Sequence, residues 1–371
     1  MNDVVALIDL YSSRGLDLLT KDRPLASTTF LARYAFIDFS LSNFSNSGID
    51  NIGILVKDHP NSINKHISNP NAYLSNPKTG FLSLFINEKG IINPVFNTDL
   101  NNIKENDYFL YDSKIKYVVI TDPSFVKKVD YRPIIEEHKK SGRLASILYT
   151  HADDASDFPY AQKLVIDSLN DVQKVYDDDR AKEGDILLNT LIVDKSFLIE
   201  LLKLSNNISI GYNLGELVAY CIKYVSKIHA IKFDGYVRHV ASLQTYFKWS
   251  MEFIKNPDLI TDLLADPEWN FYTTTHNSRP VLYGPNSKVT NSIVANGATI
   301  NGVVKNSIIS RDVTIEEGAI VENCILFTHS VVKSGVYLKN VICDKRVTFK
   351  SKSDVEGTEE NPLYFPRGVN V

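Results

Sequence analysis

The sequence predicts an α/β domain followed by a parallel β-helix, and three observations carry that reading. Short Val- and Ile-rich runs alternate with stretches of helical period up to about residue 242. From about residue 281 onward, apolar residues recur every six positions. Between them, residues 243–280 hold one helical stretch and a polar connector. A chain of 371 residues exceeds the roughly 150 of an ordinary domain, so two cores are expected.

Taken in order, "VVALIDL" (4–10), "NIGILV" (51–56), "KYVVIT" (116–121) and "LASILYT" (144–150) read as buried strands. "IDFSLSNFSNSGI" (37–49) and "YRPIIEEHKKSG" (131–142) read as helices that stop at a glycine, the second with Pro133 in its first turn. Strand and helix in alternation imply a largely parallel sheet covered on both faces. Residues 59–115, rich in Asn, Pro and Lys, read as irregular loop and hairpin. "LQTYFKWSMEFIKNPDLITDLL" (243–264) reads as a helix, followed by a connector rich in Pro, Asn and Thr. Beyond it, Val303, Ile309, Ile315, Val321 and Phe327 fall six apart, and Val313, Ala319, Ile325, Val331, Tyr337 and Cys343 form a second track. That beat fits neither a helix nor a hairpin but suits coils of three short strands. Leu363, Tyr364 and Phe365 follow the last beat and are expected to cap the solenoid or meet another subunit.

Charge and cysteine usage narrow the function. The 40 basic and 44 acidic residues are interspersed, for a net charge of -4, which leaves no basic stripe for a nucleic-acid backbone. Cys221, Cys324 and Cys343 are too few and too scattered for a disulfide framework or a four-ligand zinc site, as suits a reducing cytoplasm. "MNDVVALIDLY" has Asp3 and Asp9 and no basic leader, so it reads as a first buried strand rather than a signal peptide. No apolar run approaches the roughly 20 residues of a membrane span.

The stretch "LTKDRPLASTTFLARYAFIDFSLSNFSNSGIDNIGILV" (19–56) resembles the ADP-glucose pyrophosphorylase family, the glucose-1-phosphate adenylyltransferases. The match runs through Leu19, Thr20, Arg23, Phe30, Ile37, Asp38, Phe39, Leu41, Ser42, Asn43, Asn46, Ser47, Gly48 and Ile49 without a gap. "NKHI" (64–67), "VDY" (129–131) and the six-residue repeats extend the likeness over nearly the whole chain. The resemblance implies a Rossmann-like, GT-A-like nucleotidyltransferase domain with a mixed sheet over 1–242. It further implies a helical linker over 243–280 and a left-handed β-helix of hexapeptide repeats over 281–371.

The family joins the phosphate of glucose 1-phosphate to the α-phosphorus of ATP and expels pyrophosphate, so its members must position phosphates and neutralise their charge. The resemblance places three devices for this, and all three are altered. Loop glycines that let a backbone approach the triphosphate fall on Leu10, Tyr11 and Ser13, and a lysine of the basic-proline segment falls on Leu25. One metal-binding aspartate falls on Ser124, with Asp122 two residues earlier as either a relocated ligand or a turn former. The other falls on His239, in "GYVRHVAS", where an imidazole is a poor ligand for magnesium and reads as a packed side chain. A glycine-threonine-alanine-aspartate segment has no counterpart around "FNTDLNNIKENDYF", and a sugar-phosphate lysine segment is not recognisable in "VQKVYDDDRAKEGD" (172–185).

The expectation is therefore a non-catalytic, GlgD-type subunit that has lost magnesium binding. It would assemble, as a homo- or hetero-oligomer with a tetramer expected, with a catalytic subunit making ADP-glucose for glycogen, and alter its activity. Arg14, Arg23, Arg33, Lys57 and His59 are candidates for a sugar-phosphate or anion effector, against a reading as solvated surface cations. Two other readings stand beside it: an active adenylyltransferase with relocated ligands such as Asp122, and a hexapeptide acyltransferase using His329.

Overall fold

The computed structural model describes residues 1–78, 80–178, 182–275, 277–351 and 353–371. It divides into two compact units. The first comprises Met1–Arg14, Arg23–Ser27 and Ile37–Ala241, and the second Gly15–Asp22, Thr28–Phe36 and Ser242–Val371. Two early segments thus join the second unit, and so does the stretch after residue 242.

The first unit is built on a nine-stranded sheet. Its strand β1 (Val4–Asp9) is buried along its whole length. It pairs in parallel with β2 (Asn51–Val56), which pairs in parallel with the edge strand β3 (Phe81–Ile86). On its other side lies β4 (Tyr117–Thr121), again parallel. Then come β5 (Ala145–Ala152), β6 (Lys163–Ile166), β7 (Val172–Tyr176) and the long β8 (Gly184–Asp194). β8 runs antiparallel to β4, β5 and β6, and β9 (His229–Lys232) lies parallel to β5. Parallel pairing therefore gives way to antiparallel beyond β4, apart from β9 on β5, and the sheet is mixed rather than largely parallel. A register shift between Leu187 and Leu191 lets β8 serve different neighbours at its two ends.

Helices α1 (Phe36–Asn46), α2 (Pro60–His66), α3 (Asp99–Glu105), α4 (Tyr131–Ser141), α5 (Lys195–Ile208) and α6 (Leu214–Tyr224) connect these strands. α4 stops at Gly142, whose φ of 65° suits a residue without a Cβ. One core gathers Val5, Leu7, Val118 and Ile120 of the sheet with Leu198, Leu201 and Leu217 of the helices. Residues 59–115, expected as loop and hairpin, hold α2, α3 and β3 instead. The run "FLSLFI" is a half-buried edge strand that its Asn-rich flanks obscured. Its Phe85 lies so close to Gly53 of β2 that a Cβ there would meet the ring at 2.5 Å.

In the second unit, α7 (Leu243–Lys255) opens on a capping box between Ser242 and Thr245. It buries Tyr246, Phe247, Trp249 and Phe253; the Tyr246 ring packs 6.3 Å from Phe327, and its hydroxyl donates to the Thr29 carbonyl at 2.8 Å. Three five-stranded parallel sheets form the faces of a β-helix. Thr299 stacks on Thr314, then Val331, then Thr348, with apolar residues such as Ile300, Ile315, Val332 and Phe349 filling the interior.

The six-residue beat is kept only in part. The advance from one coil to the next is 15 residues for Ile293 onto Ile308, 17 for Ile308 onto Ile325 and 22 for Val341 onto Leu363. A shortened corner slips the phase by a residue, so Val331 and Tyr337 are half-buried while Val332 and Leu338 fill the core. Leu363–Phe365 forms a last rung on Val341–Cys343. Phe365 packs 5.0 Å from Phe349, Tyr364 donates to Asp344 Oδ2 at 3.0 Å, and the final residues bond Thr348 and Lys350. The terminal segment thus closes the solenoid, leaving Leu363 at 39% exposure. Among the described residues no helix is long and apolar enough to cross a membrane, and all three cysteines are free and buried.

Candidate functional site

In the first unit, the loop after β1 meets the end of β4. Asp9, the last residue of β1, accepts the Tyr11 N–H at 2.9 Å and the Ser12 hydroxyl. Burial pushes its carboxyl up to about 6, with Asp122 nearby adding to the rise. Leu10 turns into the core, 5% exposed, its N–H donating to the Leu55 carbonyl. The Tyr11 hydroxyl donates to the Val56 carbonyl at 3.1 Å and accepts from Asn102 Nδ2, and burial lifts its pKa to about 12. Side chains, rather than open backbone, thus fasten this loop.

Ser13 donates to Asp122 Oδ1 at 2.6 Å, and the Ser124 N–H donates to the same oxygen at 2.8 Å. Asn189 Nδ2 reaches Oδ2 at 3.2 Å from a bulge of β8, where its φ is 44°. Asp122 is therefore the turn former its Pro neighbour suggested, and it also lines a cavity. Ser124 is 1% exposed, its hydroxyl buried without a hydrogen-bond partner.

His239 belongs to a two-stranded ribbon in which Val237–His239 pairs with Phe125–Lys127. The Val240 N–H donates to the Ser124 carbonyl at 2.9 Å. Ser124 and His239, the positions where the resemblance puts two metal carboxylates, are thereby neighbours across one ribbon. His239 stacks on Phe125 with centroids 4.2 Å apart and planes at 9°, and burial lowers its pKa to about 4, so the ring is neutral at pH 7. Lys127 is buried next to it, lowered to about 8 by desolvation, and donates to Thr121 Oγ1 at 3.0 Å.

Asp122 and His239 border a cavity of about 620 Å³ lined also by Arg14, Tyr160, Gln162, Asn189 and Glu216, among others. Arg14 is exposed and lies 3.9 Å over the Tyr160 ring. The remaining expected residues are elsewhere. Leu25 is buried in a short helical turn, Arg23 is 7% exposed, and Lys57 and His59 are exposed beyond β2. Arg33 is exposed in the second unit, 5.3 Å from the Tyr34 ring, so the five cations do not form one cluster within the first unit. His329 sits at an exposed left-handed turn of the β-helix, 4.0 Å from Asp312. Of the segment 172–185, residues 179–181 lie outside the described residues.

The donor set does not fit a magnesium ion. Both Asp122 oxygens already accept hydrogen bonds, the nearby imidazole is a soft, neutral donor, and among the described residues no three His, Cys, Asp or Glu side chains converge. Sequence reading missed Asp9, Asp99, Tyr160 and Asn189. Only "NLGE" (213–216) carried a local signal, the capping box at the start of α6, which borders the same cavity.

Comparison with known proteins bears on this geometry. Residues 15–175 match the nucleotidyl transferase family, and residues 282–361 match the GlmU-like C-terminal hexapeptide family. A glucose-1-phosphate adenylyltransferase of Fervidobacterium nodosum is 28% identical over 94% of this chain and 85% of that protein. One from Clostridioides difficile is 29% identical over 75% of this chain and 72% of that protein, and one from Acetivibrio thermocellus 27% over 100% and 88%. Both parts of the chain thus have counterparts, and the likeness to the adenylyltransferases spans the two together.

Proposed function

We propose that this chain, related by sequence to the glucose-1-phosphate adenylyltransferases, is a catalytically degenerate subunit of such an enzyme. In this reading it acts in ADP-glucose synthesis for glycogen in the cytoplasm, as a GlgD-type regulatory partner that assembles with a catalytic subunit and changes its response to effectors. One observation carries the reading: Ser124 and His239 sit across one ribbon at the positions where the resemblance puts two metal carboxylates, and the carboxylate beside them, Asp122, already accepts hydrogen bonds from Ser13, Ser124 and Asn189. Leu10, Tyr11 and Ser13 add to it, because their side chains replace a backbone able to cradle phosphates. The test mixes the purified chain with a catalytic homologue and measures mass and ADP-glucose formation across effector concentrations. A mixed complex with altered kinetics supports the reading; unchanged partner kinetics and separate masses defeat it.

A second reading, active transfer through Asp122, draws on that residue's burial beside the cavity. Magnesium-dependent pyrophosphate release by the isolated chain at ordinary enzyme rates, about 1 to 1000 per second, would establish it.

A further inference from the structure

One sheet of the β-helix has three-residue strands, and its outer surface carries an ordered pattern of charge. Lys288–Thr290, Val303–Lys305, Ile320–Glu322, Tyr337–Lys339 and Asp354–Glu356 stack in parallel, one rung on the next. The middle residues face inward, and Val304, Val321 and Leu338 are fully buried in the core. Side chains alternate along a strand, so the residues on either side of them face out. They form two columns. One runs Val303, Ile320, Tyr337, Asp354, with Ile320 37% exposed. The other runs Lys305, Glu322, Lys339, Glu356, and its charge changes sign at every rung. At the corner leading into the first column, Glu317 precedes Ile320 and Lys333 precedes Tyr337, again with opposite signs. Lys339 pairs with Glu356 within the chain at 2.8 Å, and both side chains remain partly exposed.

A column of alternating charge is complementary to its own reversal. Consider a second copy laid face to face on this sheet, related by a two-fold axis perpendicular to the solenoid and level with the gap between Ile320 and Tyr337. Glu322 then faces Lys339 of the second copy, Lys305 faces its Glu356, and Glu317 faces its Lys333. Ile320 meets Tyr337 of the second copy at the centre, and symmetry repeats every contact. No like charges oppose each other. Moving the axis to the level of Glu322 sets that residue against itself and Lys305 against Lys339, so the charges fix the register. An axis along the solenoid is excluded as well, because it presses Ile320 onto Glu322 and Tyr337 onto Lys339. The four charged rungs span only about 14 Å at about 4.8 Å per rung, a small surface beside the roughly 800 Å² per partner of a standard interface.

We propose that this sheet face is a self-complementary docking surface through which two copies of the chain pair antiparallel, with a dissociation constant of about 1–100 µM. It concerns the chain alone and does not depend on whether the first unit is catalytic.

Sedimentation of the full chain at about 100 µM is expected to show self-association that weakens with added salt. Lys339→Glu creates two like-charge contacts per pair of copies and should weaken the association by about tenfold or more. Adding Glu322→Lys to it restores opposite charges across the two-fold axis, yet sets like charges beside Lys305 and Glu356 within each chain. Recovery of association in the double variant is therefore specific to the antiparallel contact, whereas a role confined to each chain's own ladder predicts a further loss. Should the double variant fail to unfold cooperatively, Ile320→Glu takes its place: it should lose association, and Thr314→Glu on the neighbouring sheet should keep it. A native chain that stays monomeric overturns the proposal. So does a folded double variant that associates no better than Lys339→Glu, or an Ile320→Glu variant that associates like the native chain. If the native chain is monomeric and these variants instead abolish a mixed complex with a catalytic subunit, the face belongs to that subunit and self-pairing is equally overturned. Unchanged kinetics of a catalytic partner bear on the regulatory reading alone.

Discussion

At Asp122 three donors converge on two carboxylate oxygens: the Ser13 hydroxyl, the Ser124 N–H and the Asn189 amide. An ionised carboxylate offers about four lone-pair sites, so these donors leave a metal little of Asp122, and each donor it displaced would be left buried at a cost of about 1–3 kcal/mol. Adding a carboxylate at one position therefore does not rebuild a metal site. His239→Asp is expected to give no magnesium-dependent ADP-glucose synthesis, because Leu10, Tyr11 and Ser13 still shape the loop and Leu25 stays apolar where the resemblance puts a lysine. Product formation in that single variant, assayed by chromatography, would show that the loop has been misread. The native imidazole makes a separate prediction about pH. Its folded pKa is about 4 against an ordinary 6.5, so between those values the unfolded chain binds a proton that the folded chain refuses. Stability from this group is complete above pH 6.5 and falls as pH drops toward 4, by about 3 kcal/mol at most. Asp9, raised from 3.8 to about 6, acts in the opposite sense: its folded form takes up the proton first, so its contribution grows as pH falls through that window. His239→Phe removes the first effect and leaves the second. Relative to the native chain, its urea midpoint should rise as pH is lowered from 6.5 to 4. Parallel curves would mean that His239 is not held neutral.

At the scale of elements, the sequence exposed most of the fold through periodicity and hid the parts that depend on partners. β1, β2, β4 and β5 were legible because continuous Val and Ile runs have few other uses, and α4 because it ends at Gly142. β3 was hidden by its Asn-rich surroundings, although Gly80 and Asn87 bracket its six residues, five of them apolar. The β-helix was legible, but its 15- and 17-residue coils were not, because the phase slips at corners that carry no apolar residue. The site was legible only as departures from a pattern, at Leu10, Tyr11, Ser13, Ser124 and His239. Asp99 and Asn189 could not be found that way, since tertiary folding alone brings them to the cavity. The β-helix corners do carry a local signal: Asn291, Asn306, Asn323 and Asn340 all adopt left-handed backbone, with φ from 44° to 53°. Asparagine tolerates that conformation and can bond its neighbours along the ladder. Asn340 Nδ2 donates to the Gly357 carbonyl at 2.9 Å, and its Oδ1 accepts from Asn323. Asn340→Ala should lose both bonds and add backbone strain, costing about 2–3 kcal/mol. Asn340→Gly keeps the backbone free and should cost less. Thermal unfolding of the two variants checks the order, and an equal loss would mean that the backbone conformation contributes nothing.

At the scale of the molecule, the two ends of the solenoid differ in how they meet water. The C-terminal end is closed by the chain itself: Leu363–Phe365 adds a rung, Phe365 packs on Phe349, and the last residues bond Thr348 and Lys350. The apolar patch expected there is thus largely consumed. The opposite end begins with Leu282–Tyr283, paired on one side with Thr299–Ile300, and its side chains are 48% and 56% exposed. An unpaired strand edge carrying two large exposed apolar side chains is the kind of surface that proteins cover by association. The assembly proposed for this chain should therefore depend more on the first coil than on the last. Leu282→Asp combined with Tyr283→Asp places two charges on that rung without touching the interior row of Ile300, Ile315, Val332 and Phe349. Light-scattering mass measured for the chain alone and mixed with a catalytic homologue should fall in the double variant, while its unfolding temperature stays near the native value. Leu363→Asp, at the closed end, should leave the mass unchanged. If Leu363→Asp dissociates the complex and the double variant does not, the contact lies at the closed end.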